Sequence, residues 1–507
     1  LRLNGHSEGY LDAEVNGQVA PLAPEIPARL RLTSRHFLAV DTLPPTLALN
    51  DLALEARGSV ARGFRVTGQA ALPGTRGPVA LALSGRVDSR EARDLTLELS
   101  SGDAGRATVA GRLAWSEALT AQLQLTLDRF PWFVLVPDMA EPAVDLQHLT
   151  AQLDWRDNRY QGQLQARTRG PLGEASVSAT VAGDTASVRV SELTLASEAG
   201  ALSGEGQARF DGPVSWQAAL TLNGFNPGYW WPALSARLDG QVHTEGALAQ
   251  DGPPRIRADW NLGGQWREQA TEAVGTLTAE AGHWRVSGLN LRVGDNRVQG
   301  EGSLGQQLAG VLKPSLAQPG QLLPGLAGTL DARLTLAGRP EDPEASLSAH
   351  GHGLAWRDLA AIETLDLSAG LASGQVLDAR LRANTLTLGD WSLASLSAAA
   401  QGRRDDHQLR LDLEHADGSL GLLFAGAFQP DWQGWRGQLK LGDIDLPEPG
   451  QHWALQAPAE LVWQRGQPVR FGDHCWAWQQ STVCAGDQVL WPNPDIDYRI
   501  ERFPAQA

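Results

Sequence analysis

The feature that most limits what this chain can become is a period-two alternation that runs through nearly all of it. Leu193 and Leu195 alternate with Thr194 and Ala196, and a turn is expected at Glu198–Ala201. On the return, Leu202, Gly204, Gly206, Ala208 and Phe210 share one face, opposite Ser203, Glu205, Gln207 and Arg209. Side chains alternate across a strand, so such a hairpin has one apolar and one polar side. The same texture returns in Ala121, Leu123, Leu125 and Leu127, in Leu149, Ala151, Leu153 and Trp155, and in Val177, Ala179 and Val181. It returns again in Leu289, Leu291 and Val293, in Leu409, Leu411 and Leu413, and in Leu420, Leu422 and Phe424. The pattern predicts an all-β chain of half-buried antiparallel strands, punctuated by Gly, Asp and Asn at hairpin spacing.

A longer repeat overlies the alternation. The phrases beginning at Arg106, Ala201 and Asn296 resemble one another and stand 95 residues apart, and a related phrase begins at Ser419. That spacing suggests an array rather than unrelated domains. A continuous repeat region is expected over residues 1–470, with a break, a loop holding a short helix, near Gln306–Leu326. Residues 471–507 are expected to hold a cysteine hairpin and the start of a truncated segment. Phe130-Pro131-Trp132 and the stretch Asn226 to Pro232 read as aromatic, proline-bearing turns.

Repetition of this kind leaves an apolar face to be covered. A compact sandwich would restart about every 100–200 residues, and this texture does not. A closed barrel of so many strands would need a wet lumen, whereas the repeated face here is Leu, Val and Ala. An elongated antiparallel sheet curled into a half-pipe is left, with an apolar groove inside. Such a trough is costly in water unless something apolar fills it, and acyl chains fit that need. The expected lining is Ala121, Leu123, Leu125, Leu127, Leu149, Leu153, Val177, Val181, Leu193, Leu195, Leu202 and Phe210, then Leu289, Leu291, Val293, Leu409, Leu411, Leu413, Leu420, Leu422 and Phe424.

Catalytic chemistry finds little support. Gly204-Glu-Gly206 and Gly300-Glu-Gly302 have no third glycine opening a helix, so the dinucleotide fingerprint fails. His350 and His352 share a strand face without further metal ligands nearby. Asp405-Asp406-His407 reads as a solvated turn. No nucleophile elbow or phosphate loop is present. No metal, cofactor or enzymatic activity is expected. A net charge of −16 disfavours a nucleic-acid partner. No run reaches the roughly 20 apolar residues of a membrane-spanning helix. Cys475 and Cys484 are close enough to meet across a hairpin; a disulfide is expected, with zinc ligation alongside His474 as the alternative. A disulfide would imply an oxidising compartment.

The Gly-punctuated hairpins, the loose long repeat and the segment Asp473-His-Cys-Trp-Ala-Trp-Gln-Gln-Ser-Thr-Val-Cys-Ala-Gly-Asp487 together resemble the TamB family, within the AsmA-like, bridge-like lipid-transfer proteins. The resemblance implies a taco-shaped β-groove in the periplasm of a Gram-negative bacterium, in a protein anchored in the inner membrane by an N-terminal helix that this sequence lacks. It further implies transport of phospholipid toward the outer membrane. The alternative it offers is assembly of outer-membrane proteins with the barrel protein TamA, through regions outside this sequence.

Overall fold

A computed structural model describes residues 2–7, 11–38, 45–102, 105–116, 118–136, 139–232, 234–249, 252–389, 391–447 and 450–503. Among them there is no α-helix; the chain is antiparallel strand, turn and short 3-10 helix. It divides into two compact units, Leu1–Trp266 and Arg267–Ala507.

In the first unit, strands from Arg2–Ser7 to Arg255–Trp266 each pair with their neighbours in sequence. No pairing among the described residues joins the first strand to the last, so the sheet stays open and curls about its apolar face. In the second unit the same meander runs from Gln269–Glu280 to Gly434–Leu446 and then forks. Gly434–Leu446 pairs along part of its length with Gln451–Leu455 and along the rest with Ala459–Gln464.

Bulges bend the strands and re-phase the alternation. Between Val190 and Leu193 the register to Gly200–Arg209 shifts, with Glu192 at φ 53°. Val190 and Leu193 are three apart, yet the bulge leaves both on the apolar face. Gly288, at φ 61°, does the same between Val286 and Leu289.

Three expectations need correction. The turn of the starting hairpin is Glu198–Ala199 alone, because Ser197 already pairs with Gly200. The strand ends at Arg209, and Phe210 lies beyond it, 51% exposed, where Asp211-Gly212-Pro213 turns the chain. The expected loop at Gln306–Leu326 is largely a strand, Leu308–Leu316, followed by a 3-10 turn at Pro319–Gln321. Pro314 is tolerated there because the ladder to Leu326–Arg339 passes from Leu312↔Leu334 to Ser315↔Asp331 without using it.

Among the described residues four 3-10 turns punctuate the meander: Pro45–Leu47, Trp132–Leu135, Pro227–Tyr229 and Pro319–Gln321. Six strands separate each from the next. Antiparallel strands return the chain to the same edge after an even number, so the three turns of the first unit share one long edge of its sheet. This is the long sequence period in structural form.

Candidate functional site

The register gathers the alternating apolar residues into rows across the strands. In the first unit one row runs Leu81, Leu99, Ala107, Leu127, Leu149, Ala166, Val177, Leu195, Leu202, Leu222, Gly240, Leu262. Five of the expected lining residues, Leu127, Leu149, Val177, Leu195 and Leu202, fall on it. Beside it run Leu125 with Ala151, and Leu123 with Leu153, whose row continues through Gly162 and Val181 to Val190. Ala121 pairs with Trp155 nearer the opposite edge. Leu193 pairs with Gly204.

In the second unit a row runs Leu289, Gly300, Leu312, Leu334, Leu347, Ala369, Ala379, Ala400, Leu409, Phe424, Leu439, Ala459. Leu411 pairs with Leu422 and Leu413 with Leu420. Leu291 pairs with Val298, and Val293 is buried against the end of the next strand.

Leu beside Gly recurs in these rows. A Cβ on Gly68 would lie 2.2 Å from Leu54 Cδ2, and one on Gly300 would lie 2.9 Å from Leu312 Cδ1. The leucine lies flat across the neighbouring glycine, so the inner wall stays thin and continuous.

Each unit's apolar face is partly covered by its own chain. The connection around Trp132–Leu135 folds back over the sheet: Phe130 and Val134 are buried against Leu72, Val79, Ala107 and Leu127. The Thr75 amide donates to the Val134 carbonyl at 2.7 Å, and the Thr46 hydroxyl donates to the Leu135 carbonyl at 2.7 Å. The connection around Pro227–Tyr229 does likewise. Tyr229 is fully buried with Ala175, Leu195 and Phe225, and its hydroxyl meets that of Thr168 at 2.9 Å. Asn226 holds this turn, its side-chain oxygen accepting from the amides of Gly228 and Ala236. In the second unit the buried Asn296 side chain donates to the carbonyls of Val293 and Gln318 and accepts from the Gln318 amide, fastening the turn at Pro319–Gln321.

Two cavities open on the apolar face of the second unit. One, of about 360 Å³, lies over Trp284, Leu289, Leu304, Leu312 and Leu334. The other, of about 520 Å³, sits in the fork and is walled by Leu422, Phe424, Ile444, Trp453, Phe471 and Trp476. It exceeds the roughly 150 Å³ at which an apolar cavity already takes up benzene. Sequence reasoning found Leu420, Leu422 and Phe424 in this wall but missed Trp453, Phe471 and Trp476. Their strands are short, and Ala454↔Ala477 and Leu461↔Phe471 pair outside the simple meander.

Cys475 and Cys484 face one another across a hairpin and are bonded. The next pair, Trp476 and Val483, lines the cavity, so the disulfide lies on the opposite face. His474 is not a metal ligand here; its Nδ1 meets the Gly472 carbonyl and its Nε2 the Tyr498 hydroxyl. His350 and His352 are exposed and meet Asp366 and Glu363 separately. No group of three or more metal-ligating side chains occurs among the described residues.

Asp405-Asp406-His407 differs from the expected solvated turn. His407 is buried, stacked on Phe428 with ring centres 5.0 Å apart. Its Nε2 accepts from the Trp435 indole at 2.8 Å while Nδ1 donates to the Arg403 carbonyl. The network assigns the neutral Nδ1–H tautomer.

A family profile described as the TamB N-terminal domain matches residues 1–139 and 133–506. The translocation and assembly module subunit TamB of Haemophilus influenzae is 21% identical over 306 residues, 59% of this chain. The matched stretch spans 23% of that relative's length. With a profile match running through nearly the whole sequence, and an open sheet with one apolar face beneath it, this chain belongs to the TamB N-terminal domain family.

Proposed function

We propose that this chain is part of a non-catalytic lipid conduit, in which phospholipid acyl chains lie along the apolar face on their way between the inner and outer membranes. The working location is the periplasm of a Gram-negative bacterium, in a full-length protein anchored in the inner membrane. The observation that carries this reading is the uninterrupted apolar row across the strands of the first unit, from Leu81 to Leu262, on a sheet that is not closed. The chain's own connections cover part of that row, and the row beside it, through Leu123, Leu153, Gly162, Val181 and Val190, lies outside both buried clusters and needs an occupant. The Leu, Val and Phe residues of the rows form the wall, and the disulfide supports an oxidising compartment.

The relative's name, a translocation and assembly module subunit, favours a second reading. In it the chain assists outer-membrane polypeptides together with the barrel protein TamA, through regions beyond this sequence. Mass spectrometry of an organic extract of the purified chain separates the two. Co-purified diacyl phospholipid is expected. An extract free of lipid, from a chain that instead retains unfolded outer-membrane polypeptide, would leave the assembly reading in place.

A further inference from the structure

The two long edges of the first unit's sheet are built differently. Along one, the connections around Trp132–Leu135 and Pro227–Tyr229 fold inward and form a lip. The first reaches back to Thr46, in the preceding 3-10 turn, six strands away. The second reaches Thr168, and Val144, from the connection before it, packs into the same buried cluster. Successive pieces of the lip therefore meet, and the apolar face beneath them is occupied by protein.

The opposite edge has no such cover. Its connections include the two-residue turns Asp157-Asn158 and Thr185-Ala186. It leaves Val60, Trp115, Leu119, Phe210, Val214 and Leu248 exposed; the lip edge also exposes Trp132, Met139, Leu172 and Trp231, but there Phe130, Val134 and Tyr229 are buried over the face, and the open edge contributes no residue of its connections to either cluster.

That edge also has the chemistry of a lipid's polar–apolar boundary. Trp155 and Tyr160 pair on the apolar face, stacked 6.3 Å apart at 10°. Aromatic rings with a polar tip suit such a boundary. Arg156 and Arg159 flank them, exposed, and among the described residues neither has a carboxylate within ion-pair distance. Asp184, opposite Arg159 on the next strand, accepts from the Ala186 amide and the Ser187 hydroxyl, at 2.8 Å each; these bonds first, and the Arg159 charge as a smaller contribution, hold its carboxyl below the usual range. A phosphate above acyl chains would find cations outside and aromatic wall inside.

We propose that entry into the groove is one-sided: phospholipid enters across the edge at Arg156–Arg159, with its headgroup there, and the lip bars the other edge. The inference rests on the lipid-conduit reading. A photo-crosslinking phenylalanine replaces Trp115 on the open edge or Trp231 beside the lip, both exposed in the fold. The full chain is then mixed with phosphatidylglycerol–phosphatidylethanolamine vesicles tritiated in the headgroup.

Label is expected at position 115 and not at 231. In an Asn226→Ala, Tyr229→Ala background, where the lip is released, label should appear at 231 as well. Arg156→Gln with Arg159→Gln should lower lipid uptake about fivefold with an unchanged circular dichroism spectrum, the size expected of two exposed charge contacts. Equal labelling of both edges with the lip intact overturns one-sided entry while leaving the conduit standing. Full uptake by the double Arg variant overturns the headgroup's placement at Arg156–Arg159. A chain that takes up no lipid overturns the conduit itself, and this inference with it.

Discussion

At the scale of the residue, what matters about an apolar side chain here is whether the lip lies over it. Leu195 is buried beneath Tyr229 and Phe225, whereas Leu123 lies on the same face outside either buried cluster of the first unit. Arginine at the two sites should behave differently. Leu195→Arg places a charge in a closed core and should cost about 3 kcal/mol or more, seen as a lowered melting temperature. Leu123→Arg can lay its stem along the wall and raise its head to water, so the melt should move little while bound phospholipid falls sharply. A Leu123→Arg chain that keeps its full lipid load would remove the groove from the transport path. Leu411 and Leu422 are partly buried against the cluster around Trp453 and Trp476, and Leu422 also lines the open cavity there, so both stand between Leu195 and Leu123. Much of the wall was legible because period two survives in Leu123, Leu127 and Leu149. Val190 and Leu193 hide the rule, since only the bulge restores them to one face. His407 was hidden for another reason: its partner Trp435 is 28 residues away, while its sequence neighbours are two aspartates.

Elements add constraints that single positions do not. The hairpin of His474–Trp478 and Ser481–Ala485 is bonded on one face and walls a cavity on the other. Reducing it should destabilise this hairpin by about 2–3 kcal/mol, the entropy of closing a short loop, and leave the distant strands intact. Hydrogen exchange with and without reductant reads this directly; uniform loss of protection throughout the chain would contradict it. Asp342 ties two neighbouring turns together, accepting from the Ser373 hydroxyl and the Gly374 amide, and these donors hold its carboxyl below the usual range. Its folded value is depressed, so the contribution is complete above the unfolded carboxyl's pKa and disappears as pH falls through the folded value. Protection of the Gly374 amide should fade across that acidic window and be weak at all pH in Asp342→Asn. The lip was the element least visible in sequence. Its aromatic, proline-bearing turns stand out, but their partners do not: Thr46 and Leu135 are 89 residues apart, and Thr168 and Tyr229 are 61 apart.

For the molecule as a whole, the strand count between successive 3-10 turns has a consequence of its own, which is one of parity. Six is even, so each repeat hands the chain back to the edge from which it started. Repeats can be gained or lost in whole copies without moving any later lip to the other side. Excising residues 145–235 removes six strands and one lip and joins the connection after Thr120–Asp128 to Ala236–Ala247, a strand that starts from the same edge. That shortened chain should still melt cooperatively. Excising residues 145–184 removes only three strands, Asp145–Arg156, Arg159–Gly170 and Gly173–Asp184, though it deletes fewer residues. It would make the next strand enter from the wrong edge, with its apolar residues meeting polar partners. Proteolysis should find the smaller excision the more damaging of the two. An odd insertion anywhere in such an array exchanges the guarded side for the open one, so selection on which side cargo enters is also selection for lengths that change by even steps.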